Sequence, residues 1–373
     1  MGMSLNCTCD FAASCAGVCL DHVSRMSETS KVSPSATWIR RWLILVGLMV
    51  YAMILIGGAT RLTDSGLSIT EWNPVSGALP PLSEGAWQTE FAKYQQTAEY
   101  QFVNQGMSMA EFQKIFWWEW GHRFFGRMIG LVAVAGFAVF AVRGWLTKHL
   151  TWHLIALIGL GGLQGAIGWW MVASGIGETT RVDVAPYRLM THFTLALLII
   201  AYVTWLWHDL GEKRRPAVAE FTRSIAVILL VTIFIQMAAG ALVAGLDAGR
   251  SYNDWPLMAG EFFPSHYVEE GLGARSLFEG RAATQFNHRI LAYAIWAGSL
   301  ASAWAFRSTP LRQEFRWLAV LVTLQAVWGI LTLVHAAPMN LALVHQGLGV
   351  IVTLMAVRLV WQSRGTSSEN RPA

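Results

Sequence analysis

Four histidines in this chain stand at the beginnings of four apolar stretches, two in each half of the sequence. They are His122, His192, His288 and His345. One histidine at the edge of a membrane span is usually an interfacial residue, but four at matching positions in repeated segments indicate a shared role. Because imidazole is the commonest metal-binding side chain, the sequence predicts a pair of metal ligands in each half.

Haem is the cofactor that suits these pairs. Two imidazoles bind one haem from opposite faces of a flat macrocycle, so they come from different helices across the core of a bundle. Di-iron sites in helical bundles use a pair of Glu-x2-His segments, whereas this chain offers only Glu119-x2-His122. The sequence also lacks a Cys-x2-Cys-His segment for covalent attachment. It therefore predicts non-covalent, bis-histidine haem binding.

The residues around the first histidine differ from those around its counterpart in one informative respect. Glu119 stands three residues before His122, on the same face of a helix, whereas Gln285 takes that place before His288. A buried carboxylate beside a bound iron is a candidate base or electrostatic stabiliser, and an amide of the same size cannot ionise. The first half is therefore predicted to be reactive and the second half to relay electrons.

An arginine follows each of these two histidines directly. Arg123 and Arg289 stand near the outer ends of their helices, where a guanidinium can pair with haem propionates or extend to lipid headgroups. Both interpretations stay open for these two residues. For Arg127, one turn after Arg123, lipid headgroups are the favoured partner.

The elements that carry these residues are apolar enough to cross a lipid bilayer. Of the 373 residues, 54% are hydrophobic and 13% are charged, a composition typical of polytopic membrane proteins. The net charge of +4 reflects topology and gives no reason to expect a nucleic-acid partner. Stretches of the length that a bilayer requires, about 17–25 residues, lie near residues 42–60, 124–142, 152–173, 189–207, 224–244, 289–306, 315–334 and 341–361.

Matching segments indicate that the two halves are repeats. Gln164-Gly-Ala-Ile-Gly168 in the third stretch returns as Gln325-Ala-Val-Trp-Gly329 in the seventh. Since each half has an even number of stretches, both halves enter the membrane from the same side. The predicted fold is an all-α polytopic membrane protein with eight transmembrane helices arranged as two parallel-repeat four-helix bundles. The predicted divisions are an N-terminal tail (1–37), a first unit (38–210) with a long outer loop (61–121), a second unit (211–362) and a C-terminal tail (363–373).

Basic residues predict the orientation of this arrangement. They lie directly before the first stretch, at Arg40 and Arg41, in the connections after the second, fourth and sixth stretches, and at the C-terminus. By the positive-inside rule both termini face the cytoplasm, or the matrix in a mitochondrion, and the histidines lie toward the outer face of the inner membrane. The cysteines all fall in the N-terminal tail, so no disulfide braces an outer loop. They are Cys7, Cys9, Cys15 and Cys19, and Met26 is an alternative start.

Several of these features together resemble the haem A synthase family. They are the eight stretches in two halves, Glu-x2-His-Arg in the second stretch, Asn-His-Arg in the sixth, and Gly-Gly-Ala-Thr-Arg-Leu-Thr-Asp-Ser-Gly-Leu-Ser at 57–68. The resemblance covers about residues 38–362, and the long first outer loop is similar to that of the mitochondrial and proteobacterial branch. It implies a membrane oxidoreductase that converts haem O to haem A for cytochrome oxidase, by successive hydroxylations of a ring methyl to a formyl group.

The resemblance also implies a role for each pair of histidines. His288 and His345 would ligate a b-type haem that serves as cofactor. His122 and His192 would bind the substrate haem, and Glu119 would be essential to catalysis, either as a base or by stabilising positive charge near the methyl carbon. The implied partners are haem O, haem O synthase, cytochrome oxidase assembly factors and an electron acceptor that the sequence does not identify.

An alternative reading of the same histidines is a di-haem electron carrier, such as a cytochrome b-type quinol or ferric reductase. That reading predicts that Glu119 is dispensable and that both haems stay permanently bound. A transporter built from parallel repeats would explain the symmetry, but it leaves the matched histidines without a purpose.

Overall fold

The computed structural model describes residues 34–177, 179–211 and 215–365. The cysteines of the N-terminal tail, the alternative start at Met26 and most of the C-terminal tail lie outside the described residues. Within those ranges the chain folds into α-helices, short 3-10 helices and isolated bridges, without a β-strand. The prediction of an all-helical membrane protein is confirmed at this level.

Eight of the helices in the described ranges are long. They are α1 (Pro34–Leu62), α4 (Met109–Val142), α5 (Lys148–Val172), α6 (Pro186–Asp209), α7 (Glu220–Gly245), α9 (Arg281–Ala305), α10 (Arg312–Val334) and α11 (Met339–Gln362). The short helices are α2 (Glu84–Tyr94), α3 (Ala98–Phe102) and α8 (Ser276–Glu279).

Seven of the long helices in the described ranges are long and apolar enough to cross a membrane, whereas the sequence predicts eight such spans. The exception is α9, which does form at the predicted place and has 25 residues. Its first turns carry polar and charged side chains, including Gln285, Asn287 and Arg289, and these lower its hydropathy. The helix that holds the predicted ligand His288 is therefore the most polar of the eight.

The outer loop expected over 61–121 is shorter in the structure, because α4 begins at Met109. The Ser108 hydroxyl accepts a hydrogen bond from the amide of Glu111, and the Glu111 carboxylate accepts one from the amide of Ser108. Such a capping box starts a helix firmly. Residues 109–121, which the sequence analysis assigns to that loop, are the first turns of a 34-residue helix.

An aromatic cluster explains why α4 extends so far outward. Phe112 and Phe116 on α4 pack with Tyr94 and Trp87 of α2, and all but Trp87 are buried. Burying aromatic side chains at this junction favours a continuous helix that holds the loop. The outer connection thereby forms a small folded layer over the first half of the molecule.

The long helices pack as two groups around a shared centre. Helix α1 contacts α4 and α6, and α5 contacts α6. In the second half α7 contacts α9 and α11, and α10 contacts α9 and α11. Across the two halves α6 contacts α7 and α11, and α1 contacts α11. Each group has its own hydrophobic core.

Candidate functional site

Each of the four predicted ligands lies against a glycine of a neighbouring helix. The pairs are His122 on α4 with Gly57 on α1, His192 on α6 with Gly168 on α5, His288 on α9 with Gly240 on α7, and His345 on α11 with Gly329 on α10. A Cβ atom at these glycines would lie 3.3, 2.9, 3.1 and 2.7 Å from the imidazole, in the same order. A side chain would displace the ring at Gly168 and Gly329, whereas at Gly57 and Gly240 a shift of the ring by a few tenths of an ångström would accommodate it.

The two histidines of each half lie on different helices of the same group and within electrostatic range of each other, His122 with His192 and His288 with His345. All four rings are partly buried. Within the described residues no three His, Cys, Asp or Glu side chains converge as a metal-ion site. The structure thus brings together the two pairs that the sequence predicts.

A glutamine one turn before the glycine holds the backbone of three of these histidines. Gln164, Gln236 and Gln325 each donate a hydrogen bond from Nε2 to the carbonyl oxygen of their histidine, at 3.0, 3.1 and 2.9 Å. Met53 stands at the corresponding place before Gly57. A glutamine therefore holds three of the four histidines, and His122 lacks one.

Glu119 lies on α4 one turn before His122, and its side chain is almost completely buried. Its Oε2 accepts hydrogen bonds from the Ser68 hydroxyl and from the amide of Ile69, both at 2.8 Å. Its Oε1 pairs with the Arg123 guanidinium at 2.6 Å. Three donors thus fix the carboxylate, and Arg123 provides the opposite charge, which a buried carboxylate requires.

Gln285 occupies the matching place in the second half and is equally buried, with 2% of its surface exposed. Its Nε2 donates to the carbonyl oxygen of Tyr252 at 3.0 Å. Its Oε1 has no hydrogen-bond partner among the described residues. The two sites therefore share a shape and differ in charge.

Both arginines that follow the histidines bind backbone carbonyls of the outer connections. Arg123 donates to Ile69 and Glu71, at 2.9 and 3.0 Å. Arg289 donates to Tyr252, Asp254 and Leu257, at 2.9 to 3.0 Å. These contacts give each arginine a role in holding its loop, and pairing with a propionate stays a prediction.

Arg127, for which lipid headgroups were the favoured partner, also contacts the loop. Its guanidinium donates to the carbonyls of Asn73 and Pro74 at 2.7 and 2.9 Å. Helix α4 therefore holds the first outer connection with two successive arginines.

The sequence did not predict an ion cluster that joins the two halves at the outer ends of α1 and α7. Arg61 pairs with Asp247 at 2.7 Å, with Asp64 at 2.9 Å and with Asp183 at 3.7 Å. Asp64 and Asp247 occupy matching places in the repeat and share a left-handed backbone, with φ of 48° and 49°. In the second half Ala244 takes the place of Arg61. This difference between the two halves was visible in the sequence.

The residues around each histidine pair suit a haem. Glycines provide room beside every ring, and the Nδ1 atoms of His192 and His345 are buried without a hydrogen-bond partner among the described residues. An imidazole that ligates iron through Nε2 carries its proton on Nδ1, so a nearby acceptor is expected. The Oε1 atoms of Gln164 and Gln325, whose Nε2 atoms donate to the carbonyls of these two histidines, are likewise without a partner among the described residues. The donor set therefore fits bis-histidine ligation.

Comparison with known proteins gives a consistent family assignment. The COX15-CtaA family, described as cytochrome oxidase assembly proteins, matches residues 40–357. A protein from Hyphomonas neptunium named heme A synthase is 70% identical over 337 residues, covering 90% of this chain and 96% of its own. Proteins of that name from Maricaulis maris and Caulobacter vibrioides are each 45% identical, covering 87% of this chain and 96% and 95% of their own.

Proposed function

Because the chain belongs to the haem A synthase family, a membrane oxidoreductase family that converts haem O to haem A, we propose how its two halves divide that reaction. The first unit, residues 38–210, binds haem O between His122 and His192. The second unit, residues 211–362, holds haem b non-covalently between His288 and His345. Glu119 is the catalytic residue of the first unit.

The observation that carries this assignment is the position of the buried Glu119. It is the side chain that gives the first pair of histidines an ionisable neighbour one turn away, and the neutral Gln285 replaces it beside the second pair. Oxidation of a methyl group releases electrons and protons, so the reacting site needs a group that handles charge. A site that only relays electrons has no such need.

The packing of the two units supports the same division. Helices α4 and α5 of the first unit are in less extensive contact than their counterparts α9 and α10. A substrate has to enter and its product has to leave, whereas a cofactor stays in place. The unit with the looser pair of helices is therefore assigned to haem O, whose long apolar tail suits an opening toward lipid.

His288 and His345 would hold haem b, which would supply an electron acceptor for oxidation of the substrate, with onward transfer to an acceptor outside the protein. The protein's own residues manage charge and protons at the first site. Ser68, the Ile69 amide and Arg123 hold the Glu119 carboxylate in a fixed orientation. From there it stabilises positive charge near the methyl carbon or accepts a proton from the attacking water, and a preorganised charge in a dry site is well suited to either role.

The eight long helices cross the membrane as two parallel-repeat four-helix bundles, with α9 included despite its polar first turns. Both termini face the cytoplasm and both haem sites lie toward the outer face of the bacterial inner membrane. Arg143, Lys148, Arg307 and Arg312 in the connections of the opposite face support this orientation. Haem O synthase as the source of substrate and cytochrome oxidase assembly factors as the recipients are the partners that follow from the family.

Replacing Glu119 by glutamine tests the assignment, because it makes the first unit match the second. Glu119→Gln expressed in cells that make haem O but have no other haem A synthase is expected to accumulate haem O and to lose most haem A, at least about a hundredfold. Extraction and chromatography of the pigments measure both. Glu84→Gln, on the exposed first turn of α2, is the control and is expected to make normal haem A.

The alternative of a di-haem electron carrier gives the opposite outcome. In that case Glu119→Gln leaves the haem content unchanged, and both haems stay bound during purification. Reduced-minus-oxidised spectra of His288→Ala and His122→Ala separate the two sites. We expect the first variant to lose the b-type signal, and the second to keep it and lose haem O and haem A.

A further inference from the structure

Within the proposed function, we propose that Gln164, Gln236 and Gln325 hold three of the four histidines in fixed positions, whereas Met53 leaves His122 free to move and so to release the substrate haem. The inference rests on a repeated geometry and on the one position where it is broken. It concerns residues around the iron ligands, to which neither the repeat nor the family comparison assigns a role.

The three glutamines occupy equivalent places and make the same contact. Each lies four residues before the glycine that accommodates the ring, so amide and glycine face the same histidine from one helix. Each donates from Nε2 to the carbonyl oxygen of that histidine. This contact fixes the helix turn that carries the ring, and it joins residues far apart in sequence.

Two of the glutamines also contact the imidazole. Nε2 of Gln236 lies 3.1 Å from Nδ1 and 3.3 Å from Nε2 of His288, and Nε2 of Gln164 lies 3.4 Å from Nε2 of His192. The same amide groups therefore contact both the backbone and the ring of these histidines.

Met53 cannot perform either task for His122. A thioether has no N–H to donate to a carbonyl and is a weak acceptor. Its Cε instead packs against Gly126, one turn after His122, where a Cβ would lie 3.2 Å from it. The position is thus filled by an apolar side chain that contacts α4 and leaves His122 without an amide partner.

The ring of His122 is also turned differently from the other three. At His192, His288 and His345 the ring atom nearest the glycine is Cε1, followed by Nδ1. At His122 the nearest atom is Nε2, at 3.3 Å from the place of a Cβ on Gly57. Nε2 of His122 therefore faces Gly57, and ligation of iron through this atom requires the ring to rotate. A ring that rotates to bind the substrate haem can also rotate back to release it.

An exchange between the two kinds of position tests the inference. Met53→Gln is expected to give His122 the missing hydrogen bond and to slow the release of haem A and haem O from purified protein about fivefold, the factor that one hydrogen bond of about 1 kcal/mol provides. Transfer of the pigment to an excess of apo-myoglobin measures the release. Met53→Leu, which adds no hydrogen bond, is the control and is expected to stay within about twofold of the wild type.

The reverse substitution in the second unit gives a readout that does not depend on activity. Gln236→Met removes the amide that contacts the carbonyl and the ring of His288, so the ligand is held less firmly and the reduction potential of haem b is expected to rise. Gln236→Glu places a charged acceptor beside the ring and is expected to lower the potential. Gln285→Glu adds a charge one turn from His288 and leaves Gln236 unchanged. Its potential therefore shows how much of the shift in Gln236→Glu is due to the added charge alone.

The outcomes separate this inference from the proposed function. If His288→Ala loses haem b while both Gln236 variants leave the potential unchanged or shift it in one direction, the ligand assignment stands and the role of the glutamines is wrong. Unchanged release from Met53→Gln overturns the role of His122. Retention of haem b by His288→Ala would remove the premise itself.

Discussion

The two halves of the molecule fasten their outer connections alike and differ in the charge beside the histidine. In the second half Arg289 and Gln285 both donate to the carbonyl of Tyr252. In the first half Arg123 holds the loop in the same way, but it also pairs with Glu119. One change from amide to carboxylate thus adds a buried charge beside an arginine whose loop contacts both halves retain. The repeat preserves this fastening of the outer connections and varies the ionisable group beside the histidine.

The glycines that lie against the four histidines offer the strongest test of what the two halves share. Gly329→Ala places a Cβ 2.7 Å from Cε1 of His345, a contact that real structures avoid, so the ring has to move. We expect this variant to lose haem b about tenfold or more, because ligation requires a fixed ring. Absorbance of haem per protein after purification measures the loss.

The matching change in the first half sharpens the comparison. Gly57→Ala meets Nε2 of His122 at 3.3 Å, where a small movement of the ring suffices, so its effect on haem O binding is expected to be milder. Gly130→Ala on α4 has no atom within 4 Å and serves as the control. Equal haem loss in Gly329→Ala and Gly130→Ala would show that the glycine beside His345 does not determine the position of the ring.

The two arginines are expected to differ in their contribution to stability. Arg123→Ala leaves Glu119 buried without its counter-charge, which costs about 3 kcal/mol. Arg289→Ala removes only hydrogen bonds to loop carbonyls and costs about 1–2 kcal/mol. Thermal unfolding in detergent measures both. A smaller effect for Arg123→Ala than for Arg289→Ala would contradict a charged Glu119–Arg123 pair as the distinguishing feature of the first half.

The first outer connection is expected to depend on pH through Glu99 of α3. Burial, with contributions from Glu119, Asp183 and Asp64, raises the pKa of Glu99 to about 8, although a hydrogen bond with Tyr94 opposes the shift. Because the folded-state pKa lies above the unfolded one, the stabilisation is complete below about pH 4.5 and is lost as the pH rises through about 8.

Glu99→Gln removes this dependence, since an amide does not ionise. At pH 9 we expect the variant to hold residues 63–108 more tightly than the wild type, by about 2 kcal/mol after allowance for incomplete burial. Proteolysis of the outer connection across pH 5–9 measures the difference, and cleavage of the second connection, residues 246–280, provides the internal reference. Parallel pH profiles for both proteins would contradict the prediction.

The sequence predicted the features that are local or repeated. The positions of the long helices, both pairs of histidines and the exchange of Glu119 for Gln285 follow from periodicity and from comparing the two halves. The extension of α4 to Met109 was missed because residues 109–121 mix aromatic and charged side chains, so the predicted apolar stretch begins only near residue 124. A capping box at Ser108 was the signal that could have shown it.

Contacts between distant residues were beyond prediction. The Gln164 and Gln325 segments were recognised as a repeat, but the histidine that each glutamine holds depends on how the helices rotate against one another. The partnership of Arg61 with Asp247 joins residues 186 positions apart. Side-chain partners across such distances are set by packing, for which one sequence gives no measure.

This Arg61–Asp247 pair gives the smallest expected effect and the most direct test of how the halves are joined. Asp247→Asn is expected to cost about 1 kcal/mol, because the Arg61 side chain is only 15% exposed and the ions are 2.7 Å apart. Asp64→Asn removes a partner that is 61% exposed, so about 0.3 kcal/mol is expected. Thermal unfolding at low and high salt measures both. A pair that joins the halves loses its advantage as salt rises, and an Asp247→Asn effect that is absent at low salt would show that helix packing alone holds the two units together.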